Sequence, residues 1–339
     1  MTWLTWRQHR IEILIMGILL LLFAAVLLVT RMNIGAASEK LSACTSNQLA
    51  DCSVARATLN NAINQIVLNP LFLVLSLSLP LLAGMFIGPY AIARELEQGT
   101  YRTIWTQGIP WYRWLVTKSG LITSVVLCAF GILFGLLSWW AFPITSALQA
   151  NGNFTFTNRF DLWGIVPIAY ALFALMLGIF VGTALRKTVP AMAITLVIFI
   201  AVRVLVATFW RPYFMPPIVV TTPAIFSATR PSLPPNAWRL SDEVVDRQGQ
   251  PVTIDGLSGL PQVCSALLYT SITSSKPTDA DMVPYNRCII DHGIQDRMVY
   301  QPIDRFWLFQ GIESGIYLLM TAMLFALTFW WTKYRIIGA

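Results

Sequence analysis

A helical membrane protein with six spans is the fold class that this sequence predicts, and three observations predict it. Hydrophobic residues make up 56% of the 339 positions and charged residues 12%, against about 45–50% and about 25% in ordinary soluble domains. The apolar residues gather in long runs instead of recurring at strand or helix period. Among the short connecting segments Lys and Arg concentrate in alternate ones, the bias that a bilayer imposes on short loops.

A hydrocarbon core about 30 Å thick takes about 20 apolar helical residues. Six stretches are long enough: Ile13–Thr30, Ile66–Ala91, Leu121–Phe142, Leu162–Leu185, Val189–Trp210 and Phe306–Thr332. The first run exceeds the about 7–15 apolar residues of a signal peptide and reads as a retained anchor. The second carries Pro70, Pro80 and Pro89, which predicts kinks or a broken end. Trp139, Trp140, Trp163, Trp210 and Trp307 are expected at one interface, and Trp111, Trp114, Trp330 and Trp331 at the other, as anchors.

Placing both termini in the cytosol puts ten Lys/Arg and three Glu in the inner segments, while the outer segments carry twelve charges of each sign. The net +7 is then entirely cytosolic, as the positive-inside rule expects. No nucleic-acid partner is needed to explain it. Residues 1–210 hold spans one to five, behind a short segment, Met1–Ile11, whose Trp3, Leu4 and Trp6 beside Arg7 and Arg10 suit the inner leaflet. Residues 211–305 are too long for a structureless loop and read as an extracellular subdomain, with a hairpin expected at Val244–Ile254 around Asp246–Gly249. Residues 306–339 hold span six and a cytosolic tail.

The inner loop 90–118 is the most informative segment. Gly99 suits a helix end and Thr100 the cap of a next, short helix. In that helix Tyr101, Ile104 and Trp105 fall at i, i+3 and i+4 on one apolar face. So short a helix is marginal in water unless its aromatic face docks into a groove, in lipid or on a partner protein.

Two charges interrupt the spans. Arg203 lies seven residues before Trp210, and Glu313 seven after Phe306. At 1.5 Å per residue both sit about 10 Å below the outer boundary, deep enough to meet as a pair. Arg203 alone could also snorkel to the headgroups.

Cys44 and Cys52 share the first outer loop, and Cys264 and Cys288 the last; Cys128 sits alone in a span. No CxxC spacing supports a metal site, and only His292 accompanies these thiols, so disulfides are favoured over a metal. Loop-closure entropy favours Cys44–Cys52 and Cys264–Cys288, other connectivities remaining open.

Catalytic equipment is sparse. No GxxxxGK[ST] phosphate loop occurs, and His9 and His292 fall on opposite sides of the membrane. With only two ionisable residues in the spans, an ion-coupled carrier is poorly supported.

Arg94-Glu95-Leu-Glu97-Gln-Gly99-Thr100, then Trp105-Thr-Gln107, then Trp114-Leu-Val-Thr-Lys118, resembles the first cytosolic loop of ABC transporter permeases of the type-2 export class. The opening Met1-Thr-Trp3-Leu-Thr-Trp6-Arg7-Gln-His9-Arg10 and the stretch Tyr300–Glu313 resemble a bacterial, actinobacterial-like branch of it. The resemblance implies a permease subunit in the cell membrane that pairs with a second permease copy or homologue. It implies a separate ABC ATPase subunit carrying ATP and Mg, with no cofactor on this chain. It makes loop 90–118 the site of a coupling helix, with Glu95, Gly99 and Thr100 matching the family motif; Tyr101, Ile104 and Trp105 are the anchors chosen on physical grounds. The alternative is a six-span channel, receptor or secondary carrier outside that class.

Overall fold

The computed structural model describes residues 21–32, 70–100, 110–149, 163–225, 237–252 and 282–336, with residues 14, 17, 18, 35, 53, 54, 57, 61, 160, 161, 234 and 264 between them. The chain divides into two compact units, Met1–Arg211 with Trp307–Ala339, and Pro212–Phe306. Arg211 thus belongs to the first unit and Phe306 to the second.

The first unit is helical. It contains the short apolar helix α1 (Leu21–Met32), α2 (Pro70–Glu97), α3 (Trp111–Gln149), α4 (Val166–Leu185), α5 (Thr188–Leu205) and most of α7 (Phe306–Trp331). Among the described residues four helical stretches are long and apolar enough to cross a membrane: Trp111–Trp140, Val166–Leu185, Thr188–Tyr213 and Ile303–Arg335. The first of these begins ten residues before the expected Leu121, because Pro110 and Trp111 start a helix that carries its polar first turns to Leu121 without a break. Helix α2 runs unbroken through Pro80 and Pro89. Among the described residues neither internal proline breaks the helix, although each removes one main-chain donor; the start of the expected span, residues 66–69, lies outside the described residues.

Helix α4 is the centre of the unit. Fifteen of its twenty residues are buried, so protein rather than lipid surrounds it. It packs along α2 through paired small residues, Gly84 and Gly88 against Ala174, Gly178 and Gly182. A methyl on Gly88 would lie 2.7 Å from the Leu175 carbonyl oxygen and 2.9 Å from Gly178 Cα, and one on Gly182 3.0 Å from Pro89 Cα. Here the backbones touch directly. Where lipid is as apolar as the helices, such van der Waals packing replaces hydrophobic drive.

Around α4 the core is built from Leu27 of α1, Ile92 and Leu96 of α2, a stripe on α3 from Trp114 to Trp140, and Leu175 and Ile179 of α4. Trp114 and Trp140 are nearly fully buried, which corrects their expected role as interface anchors. Each indole finds a partner: Trp140 Nε1 donates to Thr30 Oγ1 at 2.9 Å and Trp114 Nε1 to Glu95. Trp139, adjacent to Trp140, and Trp330, Trp210 and Trp307 are about half exposed or more. Helices α5 and α7 also display Val189, Val197, Leu319 and Met323 outward, as apolar faces meeting lipid do.

The second unit is not helical throughout, which corrects the all-α expectation. Among its described residues are a three-stranded antiparallel sheet in the order β1-β3-β2, from β1 (Ile218–Pro223), β2 (Trp238–Val245) and β3 (Gln295–Gln301), and the helix α6 (Val283–His292). Strand β1 alternates in burial along Ile-Val-Val-Thr-Thr-Pro, the period and β-branched composition of a strand. The expected turn is present: Asp246 Oδ1 accepts from the backbone of Gln248 and Gln250, Gly249 has a positive φ of 77°, and Val252 N donates to Val244 at 2.7 Å. The hairpin beyond residue 252 lies outside the described residues.

Candidate functional site

Two polar constructions interrupt the apolar interior of the first unit. The first gathers Asp161, Tyr170, Arg203, Arg211 and Glu313. Glu313 on α7 is fully buried and receives two hydrogen bonds from Arg211, from Nε and Nη2, each 2.8 Å. Arg211 Nη2 also reaches Asp161 at 2.8 Å and the Tyr170 hydroxyl at 3.2 Å. The Tyr170 hydroxyl bonds Glu313 as well. Such forked, charge-assisted pairing is what allows an ion pair to be buried at all.

Arg203 sits on the margin of this cluster. Its Nη1 is 3.4 Å from Asp161 and 3.8 Å from Glu313, and its guanidinium lies 3.7 Å over the Tyr170 ring. Arg203 and Glu313 are therefore close, but Arg211 holds the carboxylate. Arg211 follows a π-helical segment, Val206–Trp210, and opens a 3-10 turn. Eight residues of α-helix would carry it about 80° past Arg203's face. The wider π turns rotate less per residue and bring both guanidiniums to Asp161.

Gln310, one turn before Glu313, fixes the entry to α4. Its Nε2 donates to the carbonyls of Phe160 and Trp163 at 2.8 and 3.0 Å, and its Oε1 accepts from Ile165 and Val166 at 3.2 and 3.0 Å. Burial alone would raise the Asp161 carboxyl; Arg203 and then Arg211 outweigh it and hold it below the usual carboxylate range. With two cations and two anions the cluster is neutral. It offers no surplus charge for an anionic ligand, and it ties α4, α5 and α7 to one point. Among the buried groups beside it, the hydroxyls of Ser314 and Tyr317 have no hydrogen-bond partner among the described residues.

The second construction lies at the stems of the 90–118 loop. Glu95 of α2 is buried; its carboxylate pairs with Lys118 Nζ at 2.6 Å and accepts from Trp114 Nε1 at 3.1 Å, both on α3. Glu97, two residues on and exposed, accepts from the Thr188 hydroxyl at 2.8 Å and its backbone N–H at 3.2 Å. It thereby caps the start of α5, where an anion also suits the helix dipole. The hydroxyl and then the backbone bond to Thr188 lower the Glu97 carboxyl from its ordinary value, with Lys187 assisting against a small burial cost.

Gly99 has a positive φ of 68° and closes the turn after α2. The Thr100 hydroxyl donates back to the Glu95 carbonyl at 3.4 Å, supplying a carbonyl that the helix end leaves open; the short helix expected after it lies outside the described residues. Tyr101, Ile104 and Trp105 lie outside the described residues, as do Cys44 and Cys52. Cys264 and Cys288 are disulfide-bonded with Cα atoms 5.6 Å apart. Asp161, Tyr170, Arg211 and Gln310 were missed by the sequence reading. A run of Arg-Pro after a span looks like its end, and only the π turn makes Arg211 part of it.

No curated protein and no solved structure matches the chain. A family does: the one described as ABC-2 membrane transporter related matches residues 17–211. That stretch is more than half of the chain and contains the inner-loop brace and four of the five residues of the buried cluster. With its helices long enough to cross a bilayer, this chain belongs to the ABC-2 membrane transporter related family, as a permease of the ABC-2 type.

Proposed function

We propose that the chain is the permease subunit of an ATP-driven exporter, working as a pair with a second copy or a homologue. In this reading six helices cross the cell membrane of a bacterium, with both termini in the cytosol and Pro212–Phe306 outside. A separate ATPase subunit binds ATP and Mg and docks on the Arg94–Lys118 loop, with Tyr101, Ile104 and Trp105 as anchors and Glu95, Gly99 and Thr100 shaping the stem. Substrate passes between the two permeases.

The observation that carries this reading is the Glu95–Trp114–Lys118 brace. A loop whose two stems share a buried ion pair passes a displacement to both helices together. A loop on independent stems would absorb the displacement. The absence of a GxxxxGK[ST] segment from these 339 residues leaves nucleotide binding by that route to a partner.

The test is co-expression with an ABC ATPase subunit, sought first among the genes that neighbour this chain's own. The purified chain alone is expected to hydrolyse no ATP, and hydrolysis is expected once the ATPase is bound. Trp105→Ala is expected to weaken that association by about 2 kcal/mol or more, as a central hot spot does, with insertion unchanged. Undiminished co-purification by both Trp105→Ala and Ile104→Asp would place the docking surface elsewhere. Robust hydrolysis by the isolated chain would overturn the reading itself.

A further inference from the structure

We propose that Cys264, Cys288 and His292 form a redox-gated binding site for a thiophilic divalent metal ion, closed while the cysteines are disulfide-bonded and open when they are reduced. The three residues lie in the second unit, apart from both constructions described above. Cys288 and His292 are four residues apart at the end of α6, so their side chains share one helix face. Cys264 is brought to the same face from 24 residues away by the disulfide. Both cysteines are buried among Ala224, Met282, Tyr285 and Ile289, while His292 is exposed.

The distances favour coordination. His292 Nδ1 lies 3.7 Å from Cys264 Sγ and 3.7 Å from Cys288 Sγ. With metal–sulfur bonds of about 2.3 Å and metal–nitrogen bonds of about 2.0–2.1 Å, neighbouring donors of a tetrahedral zinc ion are about 3.5 Å apart. The imidazole therefore already stands near the distance that a shared ion requires from each sulfur. Only the sulfurs need to part, to about 3.8 Å by the same geometry. Two thiolates and one imidazole leave a fourth position for water or a further ligand.

The chemistry balances. Two equivalents of a small thiol, or one of a phosphine with water, reduce the disulfide to two thiols and leave as the small disulfide or the phosphine oxide. Each cysteine then loses its proton to solvent as the ion binds. His292 Nδ1 lies 2.9 Å from the Cys288 carbonyl oxygen. On binding metal it gives up that hydrogen bond, and its proton is carried on Nε2 instead. A disulfide that served stability alone would gain nothing from an imidazole equidistant from both sulfurs.

The experiment is a cobalt(II) titration of the full chain in detergent, with Cys44, Cys52 and Cys128 replaced by Ser, before and after phosphine reduction. The reduced protein is expected to bind one ion with a thiolate-to-cobalt charge-transfer band that zinc abolishes. The oxidised protein is expected to show none. His292→Ala is expected to weaken binding at least about tenfold, the lower bound set by loss of even an outer-shell partner. Absence of the band after reduction overturns the proposal, and so does binding that His292→Ala leaves undiminished. Should the triple variant not be recovered, the wild-type chain and His292→Ala, each oxidised and reduced, give the same comparison.

Discussion

Glu313 and Arg211 are almost fully buried and Arg203 less so, and the consequence of removing each follows from who is left unpaired. Arg211→Ala strands Glu313 without its two-pronged donor, and breaking a buried pair from one side costs about 3–5 kcal/mol. Arg203→Ala removes only longer contacts and a ring interaction, so the loss is expected to be clearly smaller. Thermal unfolding of the two variants in one detergent measures this, and equal losses would show that Arg203 is as central as Arg211. A charge exchange between positions 203 and 313 is expected to rescue little. Glu at 203 would face Asp161, and Arg at 313 would face Arg211. Asp161 adds a pH dependence. Its carboxyl titrates lower in the folded chain than in the unfolded one, so its contribution is present above the ordinary carboxylate pKa of about 3.9 and is lost as pH falls through the folded value. Stability should fall on acidification below about pH 4 by this route, and Asp161→Asn should flatten that part of the profile. An unchanged acid limb in the variant would assign the loss to other groups.

Helices α2 and α4 meet on glycine, and that contact was open to a sequence reading. Gly84 and Gly88 stand four apart, as do Gly178 and Gly182, and small-xxx-small spacing is a packing signal in apolar helices. What the spacing does not say is which helix receives which. At Gly88 an added side chain meets backbone on α4, which cannot move aside as a flexible side chain can. Gly88→Leu is expected to separate the helices and reduce folded, monodisperse yield severely. Gly131→Leu on α3, where an added Cβ meets nothing within 4 Å, is the matched control; equal yields would mean that the close approach carries little energy. The aromatic pairs teach a related point. Trp139 and Trp140 are equally suited to an interface by residue type, yet adjacent positions on a helix face about 100° apart. One of them reaches Thr30 in the core while the other faces outward.

The brace between α2 and α3 acts across the first unit, and it separates assembly from transport. Lys118→Met keeps much of the apolar stem but leaves Glu95 with only the Trp114 indole and its buried charge unpaired. The variant is expected to bind the ATPase subunit nearly as before and to transmit its motion less well, lowering substrate-stimulated hydrolysis relative to basal hydrolysis. Glu95→Gln with Lys118→Met removes both charges and is expected to recover stability without recovering coupling. Loss of ATPase binding in the single variant would mean that the brace forms the docking surface instead of supporting it.

The membrane class, four of the six span positions and the Asp246–Gly249 turn were legible from residues alone. Each depends on local quantities: run length, charge per segment, turn chemistry and short motifs. The family match over residues 17–211 agrees with the resemblance drawn from the 90–118 loop. The sheet of the second unit was not legible, because its central strand β3 comes last in the chain and pairs with β1 across more than seventy residues. Nor was the identity of Glu313's partner. Equal depth brought Arg203 and Glu313 together on paper, and they are near each other. The tighter claim of Arg211 depends on a π turn that rotates it inward and on Phe160–Asp161 being held by Gln310. Hydropathy and spacing report how far along a helix a residue lies and on which side; they do not report which helix stands opposite. Pairing between distant segments depends on that last quantity, which exists only once the helices have packed.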